Sequence, residues 1–171
     1  MNSKKSIPEF GIKRPNEERR DGGCAVVFDP YSQRYAVGLD NSNGVYRLYS
    51  GGVDETEDLE KGILREVEEE SGLYEFQHFE KVAEAISHYY NHLRNVNRVA
   101  HATCLLVILK STNLKEVHHE AHENFSLIWV SPDEILKNWE QRNENKDFDH
   151  WYYFLKKSVN RAKELKFDRT S

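Results

Sequence analysis

An α/β domain is predicted by three features of this chain. Short apolar runs rich in β-branched and aromatic residues occupy residues 23–28, 35–39 and 45–49, the pattern of strands. An amphipathic pattern with helical spacing fills residues 57–71, and a second one carries the last stretch of the chain. With 171 residues, the chain is long enough to bury one sizeable core and too short for two.

In order along the chain, residues 1–20 are polar and charged around Ile7 to Ile12 and read as a tail or a partly docked arm, with the domain proper spanning residues 21–171. The first three strands are separated by the turn signals Asp29-Pro30 and Asn43-Gly44. The helix that follows is expected to take Thr56 as N-cap, to hold Glu57 and Asp58 in its first turn, and to stop at Gly72. Leu59, Ile63 and Val67 form its apolar stripe. Gly62, inside this helix, costs on the order of 1 kcal/mol relative to Ala, and close packing of helix on sheet is the expected reason for it. Residues 76–90 lean to strand, residues 99–110 are the most apolar segment and read as a central strand, and residues 125–130 as another. Ser131-Pro132-Asp133-Glu134 has the form of a capping box with Pro at the first helical position. Residues 138–146 read as a polar connector. Trp151, Phe154, Leu155, Val159, Ala162 and Leu165 then recur at helical spacing as a core face. Cys24 and Cys104 fall in apolar strands and read as buried thiols rather than a disulfide framework.

Charge singles out one segment. The chain carries a net −5, but residues 54–70 hold nine acids and two bases, so the acidity is local. Like charges at i,i+4 on a helix destabilise it by a few tenths of a kcal/mol per pair, and a cation would offset that cost. At about 100° per residue, Glu66, Glu69 and Glu70 fill one arc beside the apolar stripe while Glu68 points elsewhere. Arg65 can reach Glu69 or fold back toward Glu57, fixing a carboxylate rotamer. Ligand sets made only of oxygen suit hard cations, Mg²⁺ with Mn²⁺ as substitute.

The order of residues in this segment resembles the Nudix box: Gly51, five residues, Glu57, seven residues, then Arg65-Glu66-Val67-Glu68-Glu69-Glu70-Ser71-Gly72-Leu73. The resemblance implies a Nudix fold, an α/β/α sandwich around a mixed β-sheet, and Mg²⁺-dependent hydrolysis of a diphosphate linkage in a nucleoside diphosphate derivative. Carried over by position, it implies Glu66, Glu69 and Glu70 as metal ligands, a loop carbonyl at Ser50 or Gly51 as a further ligand, and Arg65 with Glu57 as orienting partners. The general base would be Glu69, Glu66 or, in the acidic loop after the central strand, Glu123, with Glu120 second. The chain departs from the family in reading Tyr49-Ser50-Gly51-Gly52, where many members enter the box through a proline and two glycines. His118, His119 and His122 share the acidic loop but match no zinc spacing.

Tyr89 and Tyr90 lie near where dinucleoside polyphosphate hydrolases of this family carry a base-stacking tyrosine. Arg94 and Arg98, with Arg47, are expected to meet outer phosphates, since guanidinium pairs phosphate oxygens in a bidentate way. The absence of proline between Leu73 and Val130 disfavours ADP-ribose, leaving a dinucleoside polyphosphate or a nucleoside triphosphate as the favoured substrate. Two other readings stay open: a nucleotide-binding or sensor module without hydrolysis, and an isoprenoid diphosphate isomerase using Cys24 or Cys104. Basic residues are spread along the chain, so no DNA binding is expected. No apolar run approaches a membrane span and no secretion signal is evident, so a cytoplasmic protein is expected. A homodimer, through the arm or an edge strand, is left open.

Overall fold

Residues 104–109 alternate strictly between two buried surfaces: Cys104, Leu106 and Ile108 belong to one core cluster, Leu105, Val107 and Leu109 to the other. A strand covered on both faces reads as a continuous apolar run, which is why this segment is the most hydrophobic of the chain. The computed structural model describes residues 6–92, 94–117, 124–143 and 146–171. Its strands are β1 (Glu9–Gly11), β2 (Glu18–Arg19), β3 (Gly22–Asp29), β4 (Arg34–Asp40), β5 (Tyr46–Arg47), β6 (Tyr49–Gly52), β7 (Phe76–Asn91), β8 (Val96–Leu109) and β9 (Phe125–Val130). The helices are α1 (Leu59–Ser71), α2 (Pro132–Glu140) and α3 (Asp149–Glu164).

One mixed sheet runs in the order β1-β7-β8-β3-β4-β5. β7 and β8 form a long antiparallel hairpin, β8 pairs with β3 in parallel from Gly22↔Ala102 to Phe28↔Ile108, and β9 pairs with β4 on its other edge. The far edge of β3 is shared. Its first residues pair with β6 and its last with β4, so the sheet divides there, and the chain crosses the gap at the buried Leu48. Helix α1 covers one face through Ile63 and Val67, and α2 and α3 cover the other through Ile135, Trp139, Trp151, Phe154 and Leu155. This is the α/β/α sandwich around a mixed sheet that the resemblance implied.

Two details differ from the sequence reading, and a third decides between the tail and the docked arm. The N-cap of α1 is Asp58, whose carboxylate accepts from the Lys61 backbone N–H at 3.0 Å, and Thr56 and Glu57 lie in the turn before it. Leu59 therefore sits at the frayed first turn and is exposed. Residues 138–146 are not wholly a connector, because α2 continues to Glu140 and buries Trp139, whose indole N–H donates to the Tyr46 carbonyl at 2.7 Å. Residues 9–11 and 18–20 are bound to the sheet: β1 pairs in parallel with β7, β2 pairs in parallel with β8, and the Arg20 N–H donates to Val99 O at 3.0 Å.

Candidate active site

Helix α1 is anchored at both ends, by the Asp58 cap and by Gly72, which turns left-handed (φ 85°) and donates its N–H to Glu68 O at 2.8 Å. Between them Arg65 occupies the centre of the acidic arc. Its Nε and Nη2 donate to the two oxygens of Glu57 at 2.9 and 3.1 Å, and its Nη1 to Glu66 at 3.2 Å and Glu69 at 3.0 Å. The bidentate hydrogen bonds from Arg65 hold the Glu57 carboxyl below its ordinary pKa, and the same bonds, Glu57 foremost, raise that of Arg65. Glu68 points away, as the wheel requires, and accepts from Lys115 Nζ at 2.8 Å.

Two glycines are dictated by these carboxylates. A Cβ on Gly62 would stand 2.8 Å from Glu57 Oε1, so what crowds this position is the Arg65-held carboxylate and Val53 rather than the sheet, and a side chain there would have to displace that carboxylate. A Cβ on Gly51 would collide with the Glu66 carboxylate. Gly51 thus brings the end of β6 directly against a box glutamate. The neighbouring Tyr49 has a buried hydroxyl with no hydrogen-bond partner among the described residues; burial and then the charge of Glu70 drive its pKa up.

Carboxylate oxygens are the only side-chain donors of this arc, a chemistry that fits a hard divalent cation. Among the described residues, no three acids, histidines or cysteines converge on a single point; Arg65 supplies the counter-charge instead. Glu123, Glu120 and the three loop histidines lie outside the described residues.

Gly51 and Gly52 also form part of the wall of a cavity of about 540 Å³, together with Tyr89, Tyr90, Arg94 and Arg98. Arg47 lines it as well, bonded through Nε to Asp40 at 2.9 Å and lying 5.9 Å from the Phe125 ring centroid. The structure therefore brings every substrate-contact candidate from the sequence onto one surface with Gly51. Glu69 is placed elsewhere, beside Lys61, Leu64, Arg65 and Phe76. Sequence reasoning missed Arg20, Arg142 and His150 in the cavity wall. Arg20 is hidden in a polar arm without periodicity, and His150 precedes the apolar stripe of α3. His150 contacts Ser87 Oγ through Nδ1 at 3.1 Å, and burial lowers its pKa to about 4, leaving a neutral imidazole at physiological pH.

A family model described as NUDIX domain matches residues 25–152. No curated protein matches the chain. Among solved structures, a Listeria monocytogenes chain assigned to the Nudix hydrolases aligns with a TM-score of 0.61 and 19% identity over 87% of this chain and 97% of that one. The NUDIX domain of Shewanella oneidensis NrtR, complexed with ADP-ribose, gives 0.58 and 16% over 90% and 94%. A Nudix hydrolase from Nitrosomonas europaea gives 0.51 and 16% over 77% and 85%. At these identities the structural likeness is one of fold, which agrees with the sheet and helix layers described above. The family model covers far more than half of the chain and contains the acidic helix, its glycine loop and both tyrosines, and so this chain belongs to the Nudix family.

Proposed function

We propose that this protein hydrolyses a diphosphate linkage in a nucleoside diphosphate derivative with the help of Mg²⁺ or Mn²⁺, a dinucleoside polyphosphate or nucleoside triphosphate being the favoured substrate. The observation that carries this reading is Gly51, which touches Glu66 of the box helix on one side and lines the tyrosine and arginine cavity on the other. Glu66, Glu69 and Glu70, with the carbonyl at Gly51, would hold the metal. When bound, the metal supplies neutralisation of charge on the diphosphate oxygens and an acidified water. Arg65 orients Glu57, Glu66 and Glu69. Glu69, Glu66 or Glu123 accepts the proton of the attacking water. Tyr89 or Tyr90 stacks on the base, and Arg94 and Arg98 bind phosphate oxygens. A cytoplasmic setting belongs to the same proposal; no described helix is long and apolar enough to cross a membrane.

A second reading, nucleotide binding without hydrolysis, draws on the engagement of Glu57, Glu66 and Glu69 by Arg65. Phosphate release from a nucleotide panel, with Mg²⁺, Mn²⁺ and EDTA arms, separates the two. Metal-dependent cleavage should fall by orders of magnitude in Glu69→Gln or Glu70→Gln with the thermal midpoint unchanged. Near-normal turnover in both variants would sink the metal assignment. Silence across the panel, with nucleotide-induced thermal stabilisation, would establish the binding module instead.

A further inference from the structure

In a chain of net charge −5, the cavity beside Gly51 is lined by five arginines: Arg20, Arg47, Arg94, Arg98 and Arg142. The two acids on the same wall are engaged. Asp21 accepts from Arg19 at 3.1 Å and from the His101 backbone at 3.0 Å, and Asp147 accepts from Arg14 at 3.2 Å. Arg47 pairs with Asp40 and Arg98 with Glu18, but Arg20, Arg94 and Arg142 form no ion pair among the described residues. A concave wall with this excess of one sign concentrates polyanions.

Arg98 is only 8% exposed, and its Nε is buried with no hydrogen-bond partner among the described residues, a costly state for a donor unless a ligand completes it. Its partner across the hairpin is Tyr89. Arg20, Tyr89 and Arg98 line the same cavity; burial raises the phenol's pKa, and the charges of Arg98 and Arg20 both pull against that rise. Arg20 also lies over Gly52, where a Cβ would stand 2.5 Å from Nη2 and 2.6 Å from Nε. The arm fixes it there by pairing Glu18 with Arg98 and Arg19 with Val99. Gly52 is one residue beyond the glycine that Glu66 touches, so this group of donors continues directly from the box.

We propose that Arg20, Arg98 and the hydroxyl of Tyr89 form a phosphate subsite, next to the diphosphate held at the box, for a terminal phosphate of the same substrate, which leaves Tyr90 as the residue that stacks on the base. The preferred ligand is then a nucleotide with at least three phosphates in a row. This rests on the nucleotide reading above, and the arm, through Arg20, becomes part of substrate selection. A tetrahedral phosphate offers Arg98 Nε its missing acceptor and Arg20 a bidentate partner.

Calorimetric titration of the full chain in EDTA, where no hydrolysis intervenes, tests the subsite with inorganic tripolyphosphate, orthophosphate, ADP and ATP as probes. Tripolyphosphate should bind more tightly than orthophosphate, and ATP more tightly than ADP. Arg20→Gln should weaken tripolyphosphate by about tenfold or more, the loss of a charge-assisted bidentate contact, erase the advantage of ATP over ADP, and flatten the salt dependence. Arg34→Gln, which removes an exposed charge outside the cavity, should leave all four affinities unchanged. Arg98→Lys, which keeps the charge and removes Nε, should weaken tripolyphosphate as well. Equal effects of Arg20→Gln and Arg34→Gln, or wild-type affinity in Arg20→Gln, would overturn the subsite. Tripolyphosphate binding that depends on Arg20 in a protein without hydrolytic activity would uphold the subsite and reject only the hydrolase reading.

Discussion

Arg65 holds three carboxylates with one guanidinium, and the geometry around it depends on what is missing from two neighbouring residues. Gly62 leaves room for the Glu57 carboxylate and Gly51 for that of Glu66. Replacing Gly51 with Ala should push Glu66 out of position while leaving the two cores intact. On the proposed function, Mn²⁺ affinity measured by calorimetry should drop about 10- to 100-fold, the range seen when groups that orient metal ligands are lost. Unchanged affinity would mean that Glu66 does not hold the ion. The spacing of the glutamates was legible in the sequence because a helix converts spacing into direction. The glycine at 62 was legible only as an anomaly, since the carboxylate that crowds it comes from the preceding turn and its rotamer is set by Arg65.

At the scale of elements, the sequence was most informative where periodicity or turn chemistry decides the outcome: β3, β8, β9, α2 and α3 were each visible. The start of α1 was misplaced because Thr56 and Asp58 are both good caps, and the one that wins does so by reaching the Lys61 N–H. The arm strands were invisible for another reason. β1 and β2 are 3 and 2 residues long, and their partners are about eighty positions away, so no local pattern marks them. What holds β1 is His88, buried on β7, whose Nδ1 lies 2.7 Å from Glu17 and whose Nε2 meets Glu9. Burial alone would lower its pKa, but the hydrogen bonds and charges of both glutamates outweigh it and the net shift is upward. A raised folded-state pKa means that the doubly bonded imidazolium stabilises the docked arm fully below about 6.5, the unfolded value, and that this contribution fades as pH rises through the folded value. Limited proteolysis of the arm should therefore accelerate as pH rises above about 6.5, relative to an unstructured peptide control. His88→Gln should flatten that profile, and an unchanged profile would show that Arg14–Asp147 and the strand pairs alone hold the arm.

On the scale of the whole molecule, stability is divided between two cores of unequal size. The larger lies under α2 and α3 and is centred on fully buried Trp139, which packs against Trp151 at 5.5 Å between ring centroids. Trp139→Ala should cost about 3–5 kcal/mol, read as a fall in the urea midpoint. It would also leave the Tyr46 carbonyl without its indole donor. A change below about 1 kcal/mol, the scale of an ordinary surface substitution, would show that this core does not depend on its centre. The class of fold followed from such apolar stripes. The cavity did not, because its wall is assembled from the arm, the hairpin, the glycine loop and the start of α3, and only closure of the sheet brings them together.

The pairing of the arm also orders events during synthesis. Residues 9–20 leave the ribosome before the residues they bind, Ile86 to His88 and Arg98 to Val99. The β7–β8 hairpin is local in sequence, whereas β1 and β2 have no sheet edge to join until β7 and β8 have been made. The earliest of these segments to be made thus waits for the partners it pairs with. Arg20 takes its place on the cavity wall through strand pairs with Arg98 and Val99, and a nascent chain halted before residue 142 has no complete arginine wall to offer a nucleotide.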